Sequence, residues 1–176
     1  MATICKQYTH QFSSLQYNLP ENLTNLIVDW GEKHICDGDI YTDEDGHGRE
    51  LESHITVLYG IHDEESDRVR KLLEDIEPFS VLLRGITCFN SPEKFDVVKV
   101  DVSSLTLHFL NNLISKNLPT TQTYSEYKPH LTVAYVKKGK GKKYQGKYDF
   151  SGINSKVNKL VFSSFNGNKD EIFLSA

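Results

Sequence analysis

The stretch ESHITVLYG, Glu52 to Gly60, returns 76 positions later as KPHLTVAYV, Lys128 to Val136, so that His-x-Thr-Val-x-Tyr stands twice in one chain. Polar and apolar residues alternate from the His to the Val of each copy, the period of a β-strand with one face buried. Successive side chains on a strand point to opposite faces. His54 and Thr56 therefore share one face while Ile55, Val57 and Tyr59 take the other. The same parity groups His130 with Thr132 and turns Leu131, Val133 and Tyr135 inward, so both tyrosines are expected in the core.

The flanking sequence supplies strands and helices in mixed order. Phe12 to Leu19 alternates Leu15, Tyr17 and Leu19 with Ser14, Gln16 and Asn18, a half-buried strand whose polar face could border the site. From Glu21 to about His34, Leu23, Leu26, Ile27 and Trp30 follow helical spacing. Asp37 to Glu52 is an acidic, glycine-punctuated loop leading into the first phrase. A helix is expected over about Glu64 to Ile76, then the strands FSVLLRGITCF and FDVVKVDV around a turn at Asn90 to Lys94. Ser103 or Ser104 is placed to cap a helix reaching about Lys116. Pro119 to Lys128 and the lysine-rich run Lys137 to Lys147 read as loops, and VNKLVFSSF and EIFLS as closing strands. Strands alternating with helices, with hairpins among them, predict an α+β fold with mixed or antiparallel sheets rather than a doubly wound parallel one.

Composition narrows the class. A chain of 176 residues, 38% apolar and 25% charged, suits one domain, residues 1–176, large enough to bury one core or to fold as two small lobes packed together. A net charge of -4 argues against broad adhesion to nucleic acid. Cys5, Cys36 and Cys88 form neither a disulfide framework nor a zinc knuckle and read as reduced thiols in a cytoplasm. No apolar run approaches the length of a membrane span. No obligate protein partner is implied.

If two similar lobes meet about a rough twofold axis, their repeated strands bring two histidines and two threonines to a common groove. One neutral imidazole can take a proton from an attacking hydroxyl or water while the other, protonated, gives one to the departing oxygen; the threonines can hold non-bridging phosphate oxygens. An ordinary histidine pKa near ~6.5 allows one neutral and one charged ring near neutral pH. Neither phrase supplies further ligands at a zinc spacing, and the acidic loop does not follow the EF-hand order. The reading calls for no metal and no cofactor.

The paired phrases resemble the signature motifs of the 2H phosphoesterase superfamily, in which His, a hydrophobic residue and Thr or Ser occur twice; His54-Ile55-Thr56 and His130-Leu131-Thr132 match. The superfamily includes RNA 2',3'-cyclic phosphodiesterases, RNA 2'-5' ligase-like proteins and 2'-5' oligoadenylate phosphodiesterases. The resemblance implies a two-lobed α+β fold with a central cleft and a metal-independent phosphodiesterase. Its catalytic residues would be His54, Thr56, His130 and Thr132, and its substrate a nucleotide, short RNA or cyclic oligonucleotide. Phage members include anti-CBASS nucleases, which cut cyclic nucleotide defence signals, and the small size with the ending LVFSSFNGNKDEIFLS suggests a phage or bacterial branch. The lysine-rich loop is outside the family pattern. On the approach to the second motif, Tyr124 and Tyr127 are candidates to stack on a base and Lys128 to meet a phosphate.

Overall fold

The computed structural model describes residues 11–43, 46–90, 94–122 and 124–175. Eight strands form one antiparallel sheet: β1 (Ser13–Asn18), β2 (His54–Ile61), β3 (Phe79–Phe89), β4 (Phe95–Ser103), β5 (His130–Lys137), β6 (Asn154–Val157), β7 (Lys159–Ser163) and β8 (Lys169–Phe173). Three helices accompany them: α1 (Glu21–His34), α2 (Asp67–Leu72) and α3 (Leu105–Asn117). The sheet runs β6-β3-β4-β5-β2-β1-β7-β8, with the two motif strands side by side at its centre. Each belongs to a strand–helix–strand unit, β1-α1-β2 or β4-α3-β5. The fold is the expected α+β class.

The helices cross between halves. α1 packs against β5 and α3 against β2. Ile27, Trp30 and Gly31 are the buried side of α1, and Leu107, Leu110 and Ile114 that of α3; Leu26, expected on the apolar face of α1, remains 45% exposed. Ser104 caps α3 by accepting from the Leu107 amide, which satisfies one of the free amides of the first turn.

The closing segment VNKLVFSSF is not one strand. Asn154–Val157 pairs with β3 at one edge of the sheet, and after Asn158 alone the chain pairs with β1 as β7. A one-residue link between an edge strand and the seventh strand requires the sheet to curl until those strands are neighbours. Tyr17 on β1 accordingly reaches β6, its hydroxyl 2.7 Å from Ser155 Oγ and donating to Lys156 O at 3.0 Å. The expected helix over Glu64 to Ile76 is also shorter, because its C-terminal end tightens into turns in which Leu73 N donates to Val69 O and Arg70 O, and Ile76 N to Leu73 O. The run from Lys137 to Lys147 is docked through a 3-10 turn at Gly141–Tyr144, where Tyr144 is buried and donates to Asp39 Oδ2 at 2.6 Å.

Gly60 marks a point where only glycine fits. Its φ is +106°, and a Cβ there would lie 2.0 Å from Thr121 O, because Thr121 N donates to Gly60 O and draws the loop against β2. We expect Gly60→Ala to destabilise the protein by about 2–3 kcal/mol in urea unfolding, the left-handed strain and the clash together. Gly146→Ala, with positive φ but no atom within 4 Å, should cost about 1 kcal/mol.

Candidate active site

Among the described residues β2 and β5 pair at one position, Ile55 opposite Leu131. Both side chains are fully buried. Carrying the antiparallel register one step each way sets His54 against Thr132 and Thr56 against His130, all four on the face away from the apolar core. The structure therefore brings together the four residues that the sequence singles out. The Ile55–Leu131 pair lies on the local twofold, so each histidine faces the threonine of the other motif.

Beyond that pair the strands part, and each is taken over by the loop preceding the other motif. On β5, Tyr41 N donates to Tyr135 O, Tyr135 N to Gly48 O and Glu50 N to Val133 O; on β2, Thr121 N donates to Gly60 O and His62 N to Pro119 O. Each motif strand also carries a bulge at the same place. Leu15 pairs with Leu58 but Gln16 with Thr56, leaving Val57 as the extra residue; Val98 pairs with Ala134 but Lys99 with Thr132, leaving Val133. The freed carbonyls find donors, Val57 O from Asn111 Nδ2 at 2.8 Å and Val133 O from Glu50 N at 3.0 Å.

These bulges correct the assignment of Tyr59 and Tyr135 to the core. An extra residue reverses strand parity, so both tyrosines are half-buried on the histidine side. Each joins a small aromatic group: Phe12, Tyr59 and His62 at one end of the face, and Phe95, Tyr135, His47 and Tyr41 at the other. Two neighbouring apolar residues between Thr and Tyr in each phrase, Val57-Leu58 and Val133-Ala134, were the signal that alternation breaks there.

The two imidazoles are held alike. His54 Nδ1 lies 2.9 Å from Glu52 O and His130 Nδ1 2.7 Å from Lys128 O. A carbonyl can only accept, so Nδ1 carries the hydrogen and Nε2 of the neutral ring keeps its lone pair. Burial holds the His130 pKa below the ordinary histidine range, with Lys99 and His54 pushing the same way and the Lys128 carbonyl and Asp101 opposing. Burial first, then Glu50 and Tyr124, pushes the Tyr135 phenol up, while its hydrogen bond with Thr132 acts against them.

The other candidates divide. Tyr124 is 83% exposed. Lys128 is exposed and pairs with Glu126 at 3.0 Å. Tyr127 is engaged: its hydroxyl donates to Thr56 O at 2.9 Å, its ring meets His108 edge-on, and burial pushes its phenol well above the usual range. It braces the backbone beneath Thr56. Sequence reasoning missed Lys99, which is only 4% exposed, stands opposite Thr132, and bonds to Asp101 and to Thr87 Oγ. A lone lysine among the valines of VVKVDV was its signal. Among the described residues, no group of three or more His, Cys, Asp or Glu could hold a metal ion, and no helix is long and apolar enough to cross a membrane.

An antiparallel sheet centred on paired His-x-Thr strands defines the two-histidine phosphoesterase class of fold. The family model for the 2'-5' RNA ligase superfamily matches residues 40–167, and the chain belongs to that superfamily. Similar solved structures include TT0787 of Thermus thermophilus, 15% identical with a TM-score of 0.59 over 94% of this chain and 96% of that one. A phosphoesterase is 17% identical with a TM-score of 0.60 over 94% and 96%. E. coli LigT complexed with 3'-AMP is 16% identical with a TM-score of 0.57 over 93% and 95%. The likeness at these identities is one of fold. No curated protein matches the sequence.

The lowered pKa of His130 has a consequence for stability. The unfolded chain takes up the proton first, so this contribution is fully present above the unfolded value near ~6.5 and is lost as pH falls from there through the folded value. Denaturation between pH 7.5 and 5 should show the wild type losing more stability than His130→Asn, the difference opening below about pH 6.5.

Proposed function

We propose that the protein is a metal-independent phosphodiesterase cleaving RNA-type or cyclic oligonucleotide phosphodiester bonds, with His54 and His130 as the acid–base pair and Thr56 and Thr132 as phosphate holders. The observation that carries this reading is the single β2–β5 pairing, which sets both histidines and both threonines on one face with both Nδ1 atoms bound to carbonyls. One Nε2 takes a proton from the attacking water as the new P–O bond forms. The other delivers its proton to the leaving oxygen as the old P–O bond breaks, while the threonine hydroxyls donate to the non-bridging oxygens. An RNA 2'-hydroxyl can replace water as nucleophile, leaving a cyclic end.

A nucleotide is supported by the aromatic groups at both ends of the face, where bases on either side of the phosphate can rest on the Tyr59 and Tyr135 groups. E. coli LigT has been crystallised with 3'-AMP, ATP and NADP+, and we carry the nucleotide class from it to this chain. Tyr124 and Lys128, exposed beside the second motif, are assigned to a base and a phosphate; Tyr127 serves from behind Thr56. Cyclic oligonucleotide defence signals fall within this substrate class.

The test is turnover of 2',3'-cyclic mononucleotides, 2'-5' oligoadenylates and cyclic di- and trinucleotides. His54→Ala and His130→Ala should each lose ~10²-fold or more in kcat while nucleotide binding changes little. Activity should survive exhaustive EDTA treatment, and kcat/KM should be bell-shaped in pH. A wild-type protein that binds a nucleotide tightly and returns it unchanged over hours is a sponge or sensor, and activity restored only by added zinc or manganese rules out the two-histidine mechanism.

A further inference from the structure

The local twofold relates more than the two motifs. On the first half, Gln16 stands opposite Thr56 and Asn18 opposite His54; on the second, Lys99 stands opposite Thr132 and Asp101 opposite His130. Gln16 Nε2 donates to Asn18 Oδ1 at 2.7 Å, and Lys99 Nζ donates to Asp101 Oδ1. The positions match and the hydrogen bond runs between the same two residues of each strand. One half carries neutral amides and the other an ion pair.

The next strand out repeats the contrast. Thr87 on β3, opposite Lys99, accepts from Lys99 Nζ at 2.7 Å and donates to Asp101 Oδ1 at 2.9 Å, whereas β7 places Val161 opposite Gln16. Lys99 Nζ also sits 4.2 Å from the centre of the Phe89 ring, which meets His130 edge-on at 4.9 Å. A lysine only 4% exposed and bonded in this way is shielded from the solvent face, where a phosphate would lie. What it can influence is its neighbour. Stability alone does not call for the charges, since burying a lysine to form an ion pair seldom outdoes a neutral replacement and the other half holds with amides.

We propose that Lys99 is a positioning residue which, paired with Asp101, breaks the twofold symmetry of the site and makes His130 the proton acceptor and His54 the donor. For its catalytic meaning the inference rests on the two-histidine reading above. The charged or titratable groups facing His130 are Lys99 and Asp101 from β4 and His54 from β2; β3 contributes the uncharged Phe89, and the approach to β5 the carbonyl of Lys128. A cation beside an imidazole disfavours a second positive charge and a carboxylate favours it. Burial disfavours the charged form of His130 first, and Lys99 adds to it while Asp101 opposes. No such cation faces His54 from β1, where the matching partners are amides.

The experiment is an NMR titration of the histidines in the free protein, which needs no substrate. Lys99→Gln, which copies the Gln16 side, should raise the His130 midpoint, because Asp101 is left facing the ring without its cation. Asp101→Asn, which leaves the cation alone, should lower it. Where a nucleotide is turned over, the limb of kcat/KM that reports the base should shift in the same two directions. Opposite shifts support the proposal, since a purely structural role gives no sign to either substitution. Midpoints that stay put, or move the same way in both variants, overturn it. Should Lys99→Gln fail to fold, Asp101→Asn decides alone: a lowered midpoint supports the proposal, and an unchanged or raised one overturns it. A protein that cleaves no nucleotide yet shows both shifts would refute the proposed function while leaving the electrostatic device intact.

Discussion

The polar site depends on the contact of Ile55 with Leu131. It is the one position at which the motif strands pair among the described residues, and the two side chains are buried on the apolar face. A one-residue slip of either strand would turn its histidine and threonine into the core and its apolar residues outward. The apolar cost of that slip fixes the register, and with it the geometry of groups that contribute nothing to the core themselves. Limiting the pairing to one position is equally consequential. The strands separate beyond it, and the loop before each motif fills the edge that the other strand vacates, so neither unit satisfies its backbone without the other.

Much of this was written in the sequence, because the phrase is repeated and its histidines, threonines and buried partners obey simple alternation. The strand–helix–strand units were legible for the same reason. The adjacent apolar pairs Val57-Leu58 and Val133-Ala134 marked where alternation breaks, but the bulge itself is defined by the register of a neighbouring strand. Hence Tyr59 and Tyr135 read as core but lie beside the histidines. The break between β6 and β7 was hidden for a related reason: VNKLVFSSF has the composition of one strand, and only the curl of the sheet divides it at Asn158. Lys99 was overlooked because a strand surface ordinarily carries lysines, and its burial depends on Phe89 and Thr87 arriving from β3.

The two bulges show how equivalent positions are stabilised by different chemistry. Val57 O receives a side-chain amide from Asn111 on α3, whereas Val133 O receives the backbone amide of Glu50 from a loop. Where the first strand needs Gly60 against the Thr121 carbonyl, the second has Val136, bridged to Ile40. The backbone frame is thus repeated while the side chains around it are free to diverge.

That freedom bears directly on the chemistry. General acid–base catalysis at a phosphodiester needs two groups in opposite protonation states at the same moment. Two imidazoles in identical surroundings would share one proton between equivalent arrangements, and only half of the singly protonated molecules would have it on the side the bound substrate requires. A difference built into the scaffold removes this degeneracy before the substrate arrives. The repeated frame supplies matching Nδ1 hydrogen bonds and matching threonines, so the difference must come from the strands outside the motifs. β1 and β4 are the strands hydrogen-bonded to the outer edges of β2 and β5, and there an ion pair stands beside one histidine where an amide pair stands beside the other.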